Sequence, residues 1–161
     1  MELSDVRPAR PEDEEALVGL CRLHHAETAL PDFPFSEECV RQMLQRALVK
    51  QRNDEVEASF CGVIGTPNDL QASIYLTQSK IWYSSKPILK EVFAIVAPAY
   101  RKTSHARSLA AWSKIAAACV DQVLIAEVTA QRIEAKERFY ARNYGAERFG
   151  AFYAFDPTPG A

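Results

Sequence analysis

The chain has 161 residues, of which 48% are hydrophobic, and its 19 basic and 21 acidic side chains leave a net charge of −2. This length and composition predict a single domain over residues 1–161 with one hydrophobic core. The slightly acidic balance gives no reason to expect a nucleic acid as partner. No apolar run approaches the roughly 18 residues of a membrane span, and the polar, acidic start is unlike a signal peptide. We therefore expect a cytoplasmic protein without membrane contact.

The cysteines are scattered along the chain without a Cys-x-x-Cys pair, and each lies in an apolar stretch. They are Cys21, Cys39, Cys61 and Cys119. Such spacing is typical of buried thiols in a reducing compartment, and it does not favour a disulfide framework or a zinc site. The cysteines thus agree with a cytoplasmic location.

The first part of the chain predicts a short strand followed by two helices. The strand spans about residues 3–9, and helical spacing of apolar residues predicts the first helix over about 11–28. Ser36 is expected to cap the second helix, which has acidic residues in its first turn and extends to about Leu48. The linker 30–34 separates the two helices.

From residue 57 onward, segments rich in β-branched and aromatic residues predict strands. These segments are 58–66, 75–77, 81–84 and 88–97. Pro98 ends the last and strongest of them.

In the remaining chain, helices and strands alternate. A helix over about 104–120 is expected to turn Leu109, Trp112, Ala116 and Cys119 toward the core. A strand over 122–128 and a helix over 134–144 follow. This helix directs Ala135 and Phe139 inward and ends at Gly145, and a last strand covers 149–155.

A basic connection without glycine joins the strand at 88–97 to the helix after it. Its residues are Arg101, Lys102, Thr103, Ser104, His105 and Ala106. The free backbone N–H groups and partial positive charge at a helix N-terminus suit a phosphate, and Arg101 and Lys102 strengthen that field. The same residues also fit a plain strand-to-helix turn in which Ser104 caps the helix, and both interpretations stay open.

Two motifs and the element order resemble the GNAT family of acetyl-CoA-dependent N-acetyltransferases. Ala94–Arg101, AIVAPAYR, is similar to the family's apolar run with Val-x-Pro-x-Tyr-Arg ahead of a glycine-rich loop. Phe139–Ala146, FYARNYGA, is similar to the family's Leu-Tyr-x-x-x-Gly-Phe. The resemblance covers about residues 4–156 and is closest in character to phage and prophage members. It implies an α/β (α+β) fold: a mixed, mostly antiparallel sheet with splayed central strands and helices on both faces.

The resemblance implies transfer of an acetyl group from acetyl-CoA to a primary amine by direct attack. The backbone of Ala94, Ile95 and Val96 would orient the acyl group, and residues 101–106 would hold the cofactor's phosphates. Tyr140 matches the tyrosine that protonates the leaving thiolate, a role that suits a phenol protonated at neutral pH. At the two loop glycines of the family this chain has Ser104, a departure from the pattern, and Ala106, which the family tolerates. As an alternative, Tyr140 is an aromatic side chain packed at the edge of its helix.

Glu91 lies near the start of the same strand, where family members often carry the general base. The sequence does not fix the face of the sheet toward which Glu91 points. Glu27 and Asp32 lie where the family builds its acceptor pocket, although solvated surface acids are the simpler interpretation. His24 and His25 are more typical of a partly exposed helix face than of a metal site, and no metal is implied.

Three classes of function are therefore weighed. The enzyme interpretation predicts a small-molecule or protein amine as acceptor, and a homodimer is open. The alternative is a catalytically inactive CoA-fold protein that serves as an interaction or regulatory module, suggested by the missing loop glycines. A nucleic-acid binder is disfavoured by the net charge.

Overall fold

A computed structural model describes residues 5–27, 33–50, 59–126 and 133–145. Its strands are β1 (Arg7–Pro8), β2 (Ser59–Thr66), β3 (Asp69–Lys80), β4 (Pro87–Val96) and β5 (Val123–Ala126). Its helices are α1 (Glu14–Ala26), α2 (Glu37–Lys50), α3 (His105–Cys119) and α4 (Ile133–Tyr144). Short 3₁₀ turns over Pro11–Asp13 and Pro98–Tyr100 precede α1 and α3.

The strands form one five-stranded sheet in the order β1-β2-β3-β4-β5. All neighbouring pairs are antiparallel except β4 and β5, which are parallel. Within the described chain, β5 pairs with β4 from Ile88 to Glu91. A parallel pair needs a crossover connection, and α3 supplies it.

A bulge in β4 changes which side chains face each side of the sheet. Tyr75 pairs with Phe93 but Leu76 pairs with Glu91, so Val92 is the extra residue. Before the bulge Leu89 lies on the α3 side, whereas after it Phe93 packs on the α1 and α2 side. Side chains alternate along a strand, and one inserted residue therefore reverses their order.

Helices cover both faces of the sheet. On one face, α1 and α2 bury Leu17 and Leu44 against Val63 and Tyr75. On the other face, α3 buries Leu109 and Ala116 against side chains of β3 and β4, namely Ile74, Leu76 and Leu89. Burial of these apolar side chains supplies most of the driving force for folding.

Two predicted helix ends are confirmed. The Cys39 N–H donates to Ser36 Oγ at 3.3 Å at the start of α2, as expected of a cap. Gly145 follows α4 with φ of 62°, a left-handed conformation that favours glycine, and its N–H donates to the Ala141 carbonyl.

Other expectations are wrong at particular positions. The pieces at 75–77 and 81–84 are not separate strands, because β3 runs unbroken over Asp69–Lys80 and 81–84 is a turn closed by Ser84 N–H donating to the Ile81 carbonyl. Aromatic residues misled that prediction: Trp82, at the turn, is 93% exposed. The expected strand at 149–155 and the linker residues 30–32 lie outside the described residues.

The cysteines divide into two groups. Cys21 and Cys61 are buried, and burial raises the pKa of both thiols to about 12, so they are unreactive thiols of the core. Cys39 and Cys119 are exposed, against expectation, because each lies at the end of a helix where the core no longer covers it. Ala135 on α4 is also exposed rather than inward.

None of the helices in the described ranges has the length and apolar character needed to cross a membrane.

Candidate functional site

A cavity of about 140 Å³ lies between β4 and the two helices α3 and α4. Its apolar wall comes from β4 and α3, with Ala94, Val96, Ala106 and Leu109 among the lining residues. Its polar wall is formed by Glu91 of β4 and by three residues of α4, Lys136, Tyr140 and Tyr144. The cavity therefore combines a short apolar channel with a cluster of groups that can exchange protons.

Glu91 is the centre of a hydrogen-bond network at this polar wall. The Tyr140 hydroxyl donates to Glu91 Oε1 in a short hydrogen bond. The Tyr144 hydroxyl donates to Glu91 Oε2 at 3.4 Å and lies 2.8 Å from Ser113 Oγ on α3. Tyr140 and Tyr144 also stack, with ring centroids 5.3 Å apart. Both oxygens of the carboxyl group are thus held by phenols of one helix.

The local sequence explains this arrangement. Tyr140 and Tyr144 are four residues apart on α4 and therefore lie on the same face of the helix. Glu91 precedes the bulge at Val92, and this register turns its side chain toward α4. If Val92 were an ordinary member of the β4 ladder, Glu91 and Phe93 would lie on the same face of the sheet, and Glu91 would point toward α1 and α2.

Burial controls the ionisation of the cluster. Glu91 is 2% exposed, and burial raises the pKa of its carboxyl group, although the Tyr140 hydrogen bond and the nearby Lys136 oppose this shift. Burial also raises the pKa of Tyr140 and Tyr144, and the charge of Glu91 adds to the increase. Burial lowers the pKa of Lys136. The phenols therefore remain protonated at neutral pH and can act as proton donors.

The three predicted acyl-site residues do not all face the cavity. Ala94 and Val96 line it, opposite Ile74 and Ala72 of β3 in the sheet register. Ile95 is 5% exposed and packs in the core beneath α1 and α2. The sequence analysis assigned the role to the backbone of these three residues. The alternation of their side chains between the two faces of the sheet is consistent with that prediction but does not test it.

Arg101 does not reach the cavity. Its guanidinium forms an ion pair with Glu27, at 2.7 Å from Nη2 to Oε1, and its Nε–H donates to the Val96 carbonyl. Both side chains of the pair are nearly half exposed. The structure thus joins the predicted phosphate residue Arg101 to the predicted acceptor-side residue Glu27, which sequence analysis had placed in separate roles.

The start of α3 is capped by a different residue than expected. The Thr103 hydroxyl accepts a hydrogen bond from the His105 N–H at 3.2 Å and donates to the Tyr100 carbonyl. Ser104 occupies the N-cap position, but in the described structure its side chain makes no capping hydrogen bond. The prediction that Ser104 caps the helix with its side chain is therefore wrong. The Thr103 N–H also donates to the Tyr100 carbonyl, which ties Thr103 to the end of the Pro98–Tyr100 turn.

The remaining loop residues have separate surroundings. Lys102 is exposed, whereas Ala106 lines the cavity. His105 is only 7% exposed, its Nε2 lies 2.8 Å from Gln71 Oε1, and its ring stacks on Tyr100. Burial lowers the pKa of His105. The His105 ring therefore packs between the loop and β3.

The histidine pair on α1 is half-buried at the last turn of the helix. His25 Nε2 lies 2.5 Å from the Phe33 carbonyl, and burial lowers the pKa of His24. Among the described residues, no group of three or more His, Cys, Asp or Glu side chains is placed to hold a metal ion. Asp32 lies outside the described residues.

Sequence analysis missed Tyr144, Ser113 and a second cavity. The spacing of Tyr140 and Tyr144 was a visible signal for a paired role. The second cavity, of about 440 Å³, lies between α3 and α4 and is lined by Arg107, Arg138 and Arg142 together with Ala135, Phe139 and Asn143. Phe139 lines both cavities, so the two are neighbours.

Solved structures share this fold over nearly the whole chain. A possible acetyltransferase from Clostridium difficile 630 matches with a TM-score of 0.67 and 15% identity, covering 98% of this chain and 99% of that one. The aminoglycoside antibiotic 6′-N-acetyltransferase AAC(6′)-IG from Acinetobacter haemolyticus matches with a TM-score of 0.67 and 12% identity, covering 97% and 99%. The integron cassette protein HFX_CASS3, from the mobile metagenome of Cole Harbour Salt Marsh, matches with a TM-score of 0.69 and 16% identity, covering 96% and 91%.

No family model and no curated protein sequence matches the chain. The structural likeness therefore establishes the fold, which is that of the GNAT acetyltransferases, and the expected mixed, mostly antiparallel sheet with helices on both faces is confirmed.

Proposed function

We propose that the protein is an N-acetyltransferase that uses acetyl-CoA and a primary amine of a small molecule or a protein. The observation that carries the proposal is the hydrogen bond from Tyr140 to the buried Glu91 at the wall of an apolar cavity beside β4. Acyl transfer from a thioester to an amine requires a proton acceptor for the amine and a proton donor for the thiolate, and this pair offers both at one site.

The cavity would receive the acetyl end of the cofactor. Ala94 and Val96 present small and apolar side chains there, which leaves the β4 backbone accessible to a short acyl group. Exclusion of water from such a site strengthens the polar interactions made to the thioester carbonyl. The chain would thus orient the carbonyl with its backbone and keep the charged groups on the opposite wall.

The protons balance through the Glu91 and Tyr140 pair. The amine nitrogen forms a bond to the thioester carbonyl carbon, and the carbon–sulfur bond breaks to release the thiolate of CoA. Glu91 accepts the proton lost by the amine, Tyr140 donates its proton to the thiolate, and the Glu91 proton then returns to Tyr140 along their hydrogen bond. The enzyme ends in its starting state with an amide and a free thiol as products.

The start of α3 fits the phosphates in part. Its first turn contains no acidic residue, and the N–H groups of Ala106 and Arg107 offer the partial positive charge that phosphates prefer. Ala106 follows immediately and lines the acyl cavity, so one end of the helix is placed to serve both parts of the cofactor. Arg101 would join only after leaving Glu27, with which it is paired.

The test is calorimetric titration with acetyl-CoA, followed by detection of free CoA thiol across a panel of primary amines. We expect cofactor binding, and thiol release that depends on an amine. Absence of binding would exclude both the enzyme and the CoA-binding module. Binding without turnover on a broad panel would favour the inactive module.

Variants separate catalysis from binding. Tyr140→Phe and Glu91→Gln should each lower kcat by about 100-fold, the usual contribution of one acid or base, with little change in cofactor affinity. Tyr83→Phe is the matched control, because Tyr83 is 64% exposed at the 81–84 turn. Unchanged kcat in Tyr140→Phe would remove Tyr140 from the proposed role.

A further inference from the structure

We propose that Lys136 is itself an acetyl acceptor, so that the chain transfers an acetyl group from acetyl-CoA to the Lys136 side chain at the wall of the acyl cavity. The proposal rests on the proposed function for the acetyl donor and for the proton transfers. It goes beyond that function because it names a modification site within the chain, which transfer to an amine from solution does not require.

Lys136 lies on the same face of α4 as the two tyrosines of the site. Lys136, Tyr140 and Tyr144 are spaced four residues apart, and all three line the cavity. The opposite wall is formed in part by Ala94 and Val96, where the proposed function places the acetyl group. The Lys136 side chain therefore shares one cavity of about 140 Å³ with the thioester that it would attack.

The Lys136 amine is not held by a neighbouring side chain. Tyr140 and Tyr144 bind the two carboxyl oxygens of Glu91. In the described part of the chain, Lys136 forms neither a hydrogen bond nor an ion pair, and it interacts with the charge of Glu91 only from beyond ion-pair distance. Nothing among these residues needs to be broken before the amine can react.

Burial makes Lys136 more nucleophilic than a lysine on the surface. It lowers the pKa of the side chain, and this effect outweighs the attraction of Glu91, which acts in the opposite direction. A larger share of the side chain is therefore the neutral amine at neutral pH, and only this form has the lone pair that attacks a carbonyl carbon. Catalytic lysines are activated by the same loss of hydration.

The reaction balances with the groups already assigned to the site. The neutral Nζ of Lys136 forms a bond to the thioester carbonyl carbon, and the carbon–sulfur bond breaks to release the thiolate of CoA. Glu91 accepts the proton lost by Nζ, and Tyr140 donates its proton to the thiolate and regains one from Glu91 along their hydrogen bond. The products are an acetylated Lys136 and free CoA. Because the new bond is an amide, the modified lysine is an end product and not an intermediate.

The test incubates the full chain with excess acetyl-CoA that carries a heavy isotope of carbon in its acetyl group, without any amine acceptor. Mass spectrometry of peptides measures the label at each lysine over time. We expect Lys136 to be labelled at least about tenfold faster than Lys80, an exposed lysine at the end of β3. The rate for each chain should not depend on protein concentration, as transfer within one chain requires.

Variants assign the labelling to the cavity. Tyr140→Phe should slow the labelling of Lys136 by about 100-fold and leave that of Lys80 unchanged. Lys136→Arg keeps a cation at the cavity wall but offers no acceptor, so the fast labelling should disappear from the chain. Lys80→Arg is the matched control and should keep it.

Failure of this proposal is distinguishable from failure of the proposed function. If acetyl-CoA binds and an added amine drives thiol release, yet Lys136 is labelled no faster than Lys80, the modification site is overturned and the acetyltransferase stands. A rate that rises with protein concentration shows transfer between chains and also overturns it.

If acetyl-CoA does not bind, the proposed function fails, and a small thioester without the nucleotide, S-acetyl-N-acetylcysteamine, decides the site alone. Preferential labelling of Lys136 by this thioester supports the site, and equal labelling of Lys136 and Lys80 overturns it.

Discussion

At the scale of single residues, the most informative feature is the buried carboxyl group of Glu91. Only 2% of the residue is exposed, and burial raises its pKa above the usual range for glutamate. In the proposed mechanism the ionised form accepts a proton from the amine, so activity should fall when Glu91 becomes protonated.

The predicted pH profile follows from the direction of that shift. We expect kcat at saturating amine, to which the ionisation of the free amine does not contribute, to fall on the acid side with an apparent pKa above about 4.3, the ordinary value for glutamate. Measurement of the profile between pH 4 and 9 on wild type and Glu91→Gln checks this, with the acid limb absent from the residual activity of the variant. An acid limb that persists in Glu91→Gln would assign the titration to another group.

The sequence identified both members of the Glu91 and Tyr140 pair but not their contact. Resemblance to a family pointed to each residue separately. The side of the sheet on which Glu91 lies depends on the extra residue Val92, and that bulge arises from pairing with β3, a contact between distant parts of the chain. The local pattern of apolar and polar residues gives no information about such a pairing.

At the scale of elements, the turn between β4 and α3 is tied to the end of α1. Arg101 pairs with Glu27 across the two segments, and both side chains are nearly half exposed. Phosphates at the start of α3 would compete with Glu27 for the same guanidinium. In the proposed function the pair would therefore oppose cofactor binding by the energy needed to separate it, which for an exposed pair is below about 1 kcal/mol.

Glu27→Gln should remove this competition. We expect the dissociation constant for acetyl-CoA to decrease by up to about fivefold, with stability changed by less than about 1 kcal/mol. Calorimetric titration measures the first quantity and thermal unfolding the second. Glu38→Gln is the control, because Glu38 is exposed on α2 and accepts a hydrogen bond from the neutral Gln42. Weaker binding by Glu27→Gln would show that Glu27 orients Arg101 instead of competing for it.

The elements that sequence analysis predicted well are those with strong local signals. The cap at Ser36 and the end at Gly145 depend on residues within a few positions of each other. The extent of β3 was underestimated on both sides of 75–77, because polar residues interrupt its apolar pattern while its pairing with β2 and β4 continues. Aromatic residues favour strands because their side chains pack on the surface of a sheet. At 81–84 they are exposed at a turn, so this preference does not apply there.

At the scale of the whole molecule, the ion pair between Arg7 of β1 and the buried Asp13 holds the Arg7 guanidinium against the hairpin of β2 and β3. Asp13 is fully buried, and Arg7 binds it through two hydrogen bonds of 2.7 Å while also donating to the Gly65 carbonyl. Burial alone would raise the pKa of Asp13, but hydrogen bonds from Arg7 and from the Arg10 N–H hold it below the usual range. Removal of the charge would leave Arg7 without its main partner.

Asp13→Asn should lower the free energy of unfolding at pH 7 by about 2 kcal/mol, less than for a fully buried pair because Arg7 is partly exposed. The contribution of Asp13 is complete above about pH 4, the ordinary pKa of aspartate, and is lost as the pH falls through its lowered pKa. Urea unfolding of wild type and variant at several pH values measures both effects. Asp5→Asn, at an exposed aspartate, is the control, and an equal loss there would contradict the assignment.

The bulge at Val92 also means that β4 is one residue longer than its pairing with β3 requires. Deletion of Val92 would make Glu91 and Phe93 neighbours in a regular ladder, in which consecutive side chains point to opposite faces of the sheet. Glu91 would therefore keep its place beside the tyrosines of α4, and Phe93 and Ile95 would stay in the core beneath α1 and α2. This strand should tolerate the loss of one residue at the bulge, and a functional library of this gene should contain chains that lack Val92.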